Sequence, residues 1–359
     1  MVRKQRILLW TAFYPPHVGG MENNTAELVK RLRSRGYRVQ VVTCDSTPEP
    51  SDAIRLPSWP LSNGACPLPK PTLGLLRVMA MRGFDIVSTQ TRFFPTSFLG
   101  AIYALLHRVP LIHTERGTGH MVIASPIVSL ISRFHDHTIG AWILRRARVV
   151  IGVSDAVCKF TRHLGVRVSI RIPNGVSVSP GYIRAPCLRH TILFVGRLIK
   201  GKGVQDLLAA VKRIPWNCKV IVVGDGPYRA ELERLAAGSD VEFRGILTGK
   251  EIEVAYTSAS ICVNPSYSEG LPTSVMEAAA YGVPVVATDV GGTNEIIRHL
   301  STGILVKPGD VESLAKAIHR LLDNPHWTAQ MANRAKEFVV REYSWDTITD
   351  QYCQILESV

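Results

Sequence analysis

The stretch that decides the fold class reads NPSYSEGLPTSVME and spans Asn264–Glu277. The short apolar run 260–264 leads into it, a turn with glycine and proline follows, and a helix is predicted to begin near Ser274. A buried strand that turns into a helix is the repeating unit of parallel α/β sheets. Ligands of such sheets bind at the carboxyl ends of the strands, which is where this turn lies.

Outward from this stretch, short apolar runs alternate with segments of helical period along the whole chain. The runs are 6–10, 38–43, 84–88, 109–113, 148–153, 191–195, 219–223, 260–264, 283–288 and 303–306. Continuous apolar runs are typical of strands buried on both faces, so they predict parallel sheets covered by helices. The series is interrupted once, near 175–188, which predicts two domains. Residues 47–71 hold seven prolines and predict a loop in the first domain.

The composition is that of an ordinary globular protein. Of 359 residues, 46% are hydrophobic and 20% charged, so two domains can each bury a core. The seven cysteines are scattered without a Cys-x-x-Cys pair, which favours reduced thiols over a zinc site or a disulfide frame. No apolar run approaches the roughly 20 residues of a membrane span, and Ile7–Trp10 fits a buried strand better than a signal peptide. We therefore expect a cytoplasmic protein.

The basic excess lies entirely in the first half of the chain. Residues 1–180 hold 23 Lys and Arg against 9 Asp and Glu, a net charge of +14, and the remainder holds 19 against 20, a net charge of −1. Two basic clusters, 30–35 and 145–148, lie near predicted helix ends, where cations also suit the dipole. A field of one sign indicates an anionic partner.

We interpret that partner as an anionic membrane surface, which would hold the protein peripherally on the inner face of the cytoplasmic membrane. Nucleic acid is not expected, because no aromatic-interleaved basic strand or nucleic-acid motif accompanies the charge. A basic surface with a soluble acceptor is the alternative.

Two carboxylates in the deciding stretch are candidate ligands for a sugar. Glu269 lies in the turn and Glu277 in the predicted first turn of the helix, so both can face one crevice. One can accept hydrogen bonds from sugar hydroxyls and the other from a ribose, while the helix N-terminus offers N–H groups to a phosphate. The alternative for Glu277 is a helix cap, because Ser274-x-x-Glu277 has the spacing of a capping box.

A second strand-to-helix loop, residues 195–203, reads VGRLIKGKG and carries cations. Arg197 can bind an anion in bidentate fashion and Lys202 is a compact point charge, so the loop suits a diphosphate; a solvated basic turn is the alternative. Gly224 opens the sequence GDGP after another strand. A lone Gly-x-Gly is a weak motif, and we interpret it as a turn that lines a nucleotide base pocket.

Two segments of the first domain also follow strand ends. Residues 14–22 read YPPHVGGME, and the adjacent Gly19 and Gly20 either let a ligand approach the backbone closely or make a tight turn. Residues 113–120 read HTERGTGH, which is dense in histidine and charge where an acceptor-side or catalytic group is expected.

Together these features resemble glycosyltransferase family 4, the group 1 glycosyltransferases of GT-B fold, over essentially the whole chain. The motifs that carry the resemblance are Tyr14-Pro-Pro-His-Val-Gly-Gly, Val153-Ser154, Ile172-Pro-Asn-Gly-Val176, Val195-Gly-Arg, Lys202-Gly203, Gly224-Asp-Gly-Pro, Glu269-x7-Glu277, Gly282-Val-Pro-Val-Val and Gly291-Gly-x-x-Glu295. The resemblance implies two Rossmann-like, doubly wound parallel-sheet domains that face a central cleft. Residues 1–177 would bind the acceptor and 188–340 the donor, and the last helix, 343–359, would cross back to the first domain.

The resemblance also implies an activity. A hexosyl unit would pass, with retention and without a metal or cofactor, from a UDP- or GDP-linked sugar to a hydroxyl of a glycan or lipid-linked acceptor, in cell-surface polysaccharide or glycolipid synthesis. Arg197 and Lys202 would hold the diphosphate and stabilise the leaving group, Glu269 would bind the transferred sugar, and Glu277 the ribose. The other donor-binding positions would be Gly20, Gly196, Gly224, Leu271, Pro272, Thr273 and Ser274.

The chain departs from the family in the first domain. The family's usual His-Gly after a strand aligns best with Arg116-Gly117, and His113 and His120 flank that position, so the catalytic candidates there are His113, Arg116 and His120. Two alternatives stay open: a catalytically inactive binding or scaffold protein of the same fold, and a sugar-nucleotide 2-epimerase. No metal-ligand cluster such as Asp-x-Asp occurs, so no metal site is expected.

Overall fold

The computed structural model describes residues 4–44, 52–61, 66–120, 126–177, 190–215 and 217–359. The chain divides into two compact units, one formed by 1–173 with 346–359 and the other by 174–345. Most of the segment in which the sequence predicts the domain joint, 178–188, lies outside the described residues.

The first unit is built on a seven-stranded parallel sheet. Its strands are β1 (Arg6–Trp10), β2 (Arg38–Thr43), β3 (Ala53–Arg55), β6 (Ile86–Gln90), β7 (Leu111–Glu115), β8 (Val149–Gly152) and β9 (Ser169–Arg171), in the spatial order β3-β2-β1-β6-β7-β8-β9. A separate hairpin is formed by β4 (Ser58–Leu61) and β5 (Cys66–Pro69). The helices are α1 (Gly20–Ser34), α2 (Leu73–Ala80), α3 (Pro95–His107), α4 (Pro126–His135), α5 (Ala141–Arg146) and α6 (Asp155–His163). A π-helical turn, Asp136–Gly140, joins α4 to α5.

The second unit is built on a six-stranded parallel sheet. Its strands are β10 (Thr191–Val195), β11 (Lys219–Val223), β12 (Val241–Gly245), β13 (Ile261–Asn264), β14 (Val285–Thr288) and β15 (Ile304–Val306), in the spatial order β12-β11-β10-β13-β14-β15. The helices are α7 (Val204–Val211), α8 (Arg229–Leu235), α9 (Gly249–Thr257), α10 (Thr273–Ala280), α11 (Thr293–Ile296), α12 (Val311–Asp323) and α13 (Pro325–Glu342). The predicted fold class, two α/β domains with parallel sheets, is confirmed.

An inner strand of each sheet is apolar on both faces. Ile7–Trp10 of β1 and Ile192–Phe194 of β10 are at most 2% exposed. Burying a large apolar side chain contributes about 1.5–3 kcal/mol, so these strands anchor their sheets. In the first unit the largest of them, Trp10, packs against Tyr103 of α3 with ring centroids 6.5 Å apart.

The last helix, α14 (Trp345–Glu357), follows the crossing from the second unit, and residues from Asp346 onward belong to the first. Ion pairs join it to α1 and to the chain start. Arg31 lies 3.1 Å from Asp346, Lys4 lies 2.7 Å from Glu357, and Arg35 pairs with Asp350. Each of these exposed pairs contributes only about 0–1 kcal/mol. Their main effect is to place acidic side chains of α14 beside the basic end of α1.

The loop prediction for residues 47–71 is wrong within the described part of the segment, since β3, β4 and β5 lie there. Proline does not prevent this arrangement, because β4 and β5 pair only with each other and an edge strand does not need every N–H group. Residues 45–51 and 62–65 lie outside the described residues.

Within the described ranges, no helix combines the length and the hydropathy that crossing a bilayer requires.

Candidate active site

Three loops of the second unit meet at the carboxyl edge of its sheet. The loop after β10 lies beside the loop after β13, because these two strands pair directly although distant in sequence. A Cβ at Gly203 would lie 2.0 Å from the carbonyl oxygen of Pro265, and one at Gly224 would lie 1.9 Å from that of Gly196. Both glycines have positive φ, at 70° and 127°. Only glycine allows this approach, so the predicted donor residues Gly196 and Gly224 touch through their backbones.

Glu269 is the hydrogen-bonding centre of these loops. Its Oε1 accepts from Lys202 Nζ at 2.7 Å, from Ser266 Oγ at 2.6 Å and from Asn264 Nδ2 at 3.4 Å. The residue is 9% exposed. A carboxylate this buried needs a partner, and the partner is the cation that the sequence predicts for the diphosphate.

Arg197 differs from Lys202 in its surroundings. Its side chain is exposed, and within the described ranges no acceptor binds the guanidinium. Lys202 is held beside Glu269, in the short 3-10 turn Lys200–Lys202 that precedes α7. The two predicted phosphate ligands are therefore one fixed cation and one available cation.

The N-terminus of α10 faces the same loops. The helix begins at Thr273 after Pro272, and no side chain caps it. Leu271 and Pro272 are buried, whereas Thr273 and Ser274 are partly exposed. Uncapped N–H groups at a helix start favour an anion.

The capping-box interpretation of Glu277 is wrong. Because α10 starts at Thr273, Ser274 is the second residue inside the helix, and Glu277 lies beyond the capping position. Its Oε2 instead accepts a hydrogen bond of 2.7 Å from the hydroxyl of Tyr256 on α9. Burial raises the pKa of Glu277, and the Tyr256 bond opposes that shift.

In the first unit, the segment after β7 is organised by Glu115, which is fully buried. One carboxylate oxygen accepts from the backbone N–H groups of Arg116 and Gly117, both at 2.9 Å, and lies 3.0 Å from Arg92 Nη1. The other accepts from the N–H of Arg92 at 3.0 Å and lies 3.3 Å from His113 Nε2. Burial would raise the pKa of Glu115, but Arg92 and the other donors lower it well below its usual range.

The three catalytic candidates of this segment have different environments. His113 is fully buried, and its Nδ1 lies 2.8 Å from Thr89 Oγ1. Arg116 is partly buried and donates to Gln90 Oε1 at 3.2 Å. His120 is partly exposed.

His120 and the buried Arg92 share Asp136. Asp136 Oδ2 accepts from His120 Nδ1 at 2.7 Å and from Arg92 Nη2 at 3.0 Å. Burial would raise the pKa of Asp136, but the neighbouring His135, Arg92 and His120 lower it to about 2.

Gly20 is the first residue of α1 and is exposed. A Cβ on the preceding Gly19 would lie 2.2 Å from Glu22 Oε2, so Glu22 folds back over this helix start. Glu22 is itself buried and lies 3.3 Å from His17 Nδ1.

Two features of the first unit were missed by sequence reasoning. The first is the cluster of Glu115, Arg92 and Asp136, whose members are far apart in sequence; only the density of charge in 113–120 pointed toward it. The second is a group of three histidines, His120, His137 and His163, whose possible ligand atoms lie within 4.8 Å of one another. No local spacing marks such a group.

Each of the two units matches a known protein family. The family model described as Glycosyltransferase Family 4 matches residues 18–179, and the model described as Glycosyl transferases group 1 matches residues 189–324. An uncharacterised glycosyltransferase of Methanocaldococcus jannaschii is 28% identical over 99% of this chain and 99% of its own length.

Solved structures share the fold. Sucrose-phosphate synthase from Thermosynechococcus elongatus superposes with a TM-score of 0.80 at 24% identity, over 99% of each chain. Anabaena HepE, solved in complex with UDP and glucose, gives a TM-score of 0.81 at 22% identity, over 99% of this chain and 100% of that one. The protein is thus a glycosyltransferase of GT-B fold. Within that class it belongs to family 4, the group 1 glycosyltransferases. This assignment favours a glycosyltransferase over the scaffold protein and the epimerase that the sequence left open.

The close approach of the loops can be tested at two glycines of one turn. Gly203→Ala should lower the free energy of unfolding by about 1–3 kcal/mol, because the new methyl group collides with Pro265 and the positive φ is unfavourable. Gly201→Ala is the matched control, since no atom lies within 4 Å of a Cβ there. Urea unfolding measures both variants, and equal stability of the two would contradict the packing described here.

Proposed function

We propose that this enzyme transfers a hexosyl unit, with retention of configuration, from a UDP- or GDP-linked sugar to a hydroxyl of a glycan or lipid-linked acceptor. The observation that supports this most is the meeting of Arg197, Lys202 and the uncapped start of α10 at one sheet edge. Three positive features around one crevice suit a diphosphate better than any neutral ligand. HepE, a protein of the same fold, was solved with UDP and glucose.

The chemistry would be electrostatic. Arg197, free to move, would bind the departing diphosphate, while Lys202 would supply a cation already fixed by Glu269. Preset charges cost no reorganisation as negative charge develops on the leaving group. These cations take the place that a metal ion would fill, so the donor site needs no metal or cofactor.

Glu269 would accept hydrogen bonds from the transferred sugar and Glu277 from the ribose. The carboxylate of Glu269 is fixed at this sheet edge by Lys202, Ser266 and Asn264, so it is oriented before a sugar binds. Glu277 is held by the Tyr256 hydroxyl near the start of α10, beside the helix end assigned to the phosphates.

On the acceptor side, Arg116 would take the position of the family's usual histidine. The acceptor hydroxyl would attack from the face that the nucleotide leaves, which retains the configuration. His113 and His120 stay candidates, although the burial of His113 favours a supporting role through Glu115. In that role His113 would hold the segment that presents Arg116.

The acceptor proposal extends to an anionic membrane surface on which the first unit docks. Arg31, Arg33 and Arg35, the cluster singled out in the sequence, all have carboxylate partners, at Asp346, Asp52 and Asp350. The α4 helix offers a better surface. Leu130, Ile131 and Phe134 are 69%, 60% and 71% exposed, lie within one helical turn of one another, and are accompanied by Arg133.

An apolar helix face beside a basic side chain suits the interface of a bilayer. The net charge of +14 in residues 1–180 complements anionic lipid. The protein would then act peripherally, at the inner face of the cytoplasmic membrane, in polysaccharide or glycolipid synthesis.

The donor assignment is tested by a thermal-shift panel of UDP, GDP and their sugars. One nucleotide class should raise the melting temperature. Arg197→Ala and Lys202→Ala should each weaken binding roughly 10–150-fold, because a charge-assisted contact is worth about 1.5–3 kcal/mol. Lys200→Ala, an exposed cation in the same turn, is the control and should bind normally. If the double variant Arg197→Ala/Lys202→Ala keeps normal affinity and turnover, the assignment fails.

The ribose assignment predicts a pH dependence. A carboxylate accepts two hydroxyl donors only when ionised, so affinity for a nucleotide sugar should rise as pH increases from about 4.5, the ordinary pKa of this group. The intact sugar nucleotide is the probe, because a free terminal phosphate would add its own ionisation near pH 6. Isothermal titration across this range measures the effect.

Stability should show the opposite trend. The folded-state pKa of Glu277 is raised, so its contribution to stability is fully present below the ordinary pKa and is lost as pH rises through the folded value. Both trends should vanish in Glu277→Gln, and Tyr256→Phe should move them to higher pH. An unchanged affinity profile in Glu277→Gln would refute the ribose role.

Vesicle sedimentation tests the docking surface. Binding should rise with anionic lipid, fall with salt, and be lost in Leu130→Ser/Phe134→Ser. The matched control is Leu73→Ser/Leu76→Ser on α2, where two leucines are similarly exposed. Equal partitioning to neutral and anionic vesicles, or equal loss in both double variants, would exclude α4 as the docking surface.

A further inference from the structure

Three histidines of the first unit converge from separate elements. His120 lies in the segment after β7, His137 lies in the π-helical turn, and His163 is the last residue of α6. One possible ligand atom from each lies within 4.8 Å of the other two. They form the one such group of three metal-binding side chains found among residues with a described position.

The cluster is built rather than accidental. His120 Nδ1 lies 2.7 Å from Asp136 Oδ2, which leaves Nε2 as the ring nitrogen available for another ligand. Asp136 is buried and receives two bonds from Arg92, at 2.9 and 3.0 Å. A ligating histidine whose second nitrogen binds a carboxylate is the usual arrangement in metal sites, because that bond fixes the ring orientation.

The histidine rings also contact one another and the ring of Phe160. Phe160 lies edge-on to His120, with centroids 5.3 Å apart, and stacks with His163 at 6.3 Å. The guanidinium of Arg92 lies over the ring of Phe160, 4.6 Å from its centroid. His137 is adjacent to both histidine rings, at 5.4 and 5.9 Å.

We propose that His120, His137 and His163 bind one divalent transition metal ion, with zinc as the reference ion and a fourth position open to water. Imidazole nitrogen suits zinc, copper and nickel rather than magnesium or calcium. Zinc–nitrogen bonds of about 2.0–2.1 Å place tetrahedral ligand nitrogens ~3.4 Å apart. The ligands must therefore close by up to ~1.4 Å, and His137 and His163 are exposed side chains that can rotate.

The ion would tie together three segments of the first unit. One of them, 116–120, carries Arg116, so metal binding would order the acceptor-side segment. The proposed metal site shares no residue with the donor site, because all three ligands belong to the first unit and both phosphate cations to the second.

The test uses the full chain without a polyhistidine tag, dialysed against chelator. Isothermal titration with zinc, nickel and copper salts should give one ion per chain, and zinc at hundredfold excess over its Kd should raise the melting temperature by roughly 5 °C. His137→Ala and His163→Ala change exposed residues and should fold normally, and each should weaken binding at least tenfold. His326→Ala, an exposed histidine of α13, is the control.

Chelation separates this site from the donor site. EDTA should lower the melting temperature of the zinc-loaded protein and leave nucleotide-sugar affinity unchanged. Absence of binding by all three ions, or stoichiometric binding retained in His137→Ala/His163→Ala, would overturn the metal site without touching the donor assignment. Loss of nucleotide affinity in EDTA would instead contradict a metal-free donor site.

Discussion

The direct pairing of strands that are distant in sequence is the constraint on which both units depend. In the second unit, β10 pairs with β13, so the loops that follow them open side by side at the carboxyl edge. Gly203 then lets one loop pass against Pro265 of the other, and Lys202 reaches Glu269. A half-buried cation and a buried carboxylate would each be costly alone. Paired, they hold the crevice in shape before any donor arrives.

The first unit repeats this geometry with different chemistry. Its β1 pairs with β6, and the segments after β1, β6 and β7 share one edge. Here the buried carboxylate is Glu115, and its donors include two backbone N–H groups of the next segment as well as Arg92. The carboxylate therefore fixes the backbone path of this segment, and the Arg116 side chain is held in addition by Gln90.

Four inner strands could be predicted from sequence to the residue, whereas the runs 84–88 and 109–113 fell two residues before β6 and β7, and most edge strands gave no run. The apolar runs 6–10, 38–43, 191–195 and 219–223 coincide with β1, β2, β10 and β11. Three of the four edge strands, β3, β9 and β12, produced no such run, because a strand with one neighbour stays partly exposed and carries mixed side chains, as in VEFRG of β12; the fourth, β15, lies within the run 303–306.

The residues of the site could also be predicted only in part. Motifs identified which residues bear charge at the sheet edge, since a loop after a buried strand must lie there. Partners were not predictable, because Tyr256 reaches Glu277 from another helix and Asp136 reaches His120 through a turn. The capping box failed for a local reason: Pro272 is the N-cap of α10, two residues before Ser274, and this moves Ser274 inside the helix.

The charge asymmetry of the chain changes once the fold is known. The acidic residues of 346–359 belong to the first unit, which then holds 23 basic against 12 acidic residues, a net of +11, and leaves the second unit at +2. The first unit keeps a net positive charge, but the arginines of its 30–35 cluster are largely paired with carboxylates of α14 and with Asp52. The exposed Arg145, Arg146 and Arg148 at the end of α5 carry part of what remains. Long-range attraction depends on that total charge, whereas lasting contact with a bilayer requires apolar area, which α4 exposes. In the proposed docking on a bilayer, attraction and insertion would therefore involve different helices of one unit.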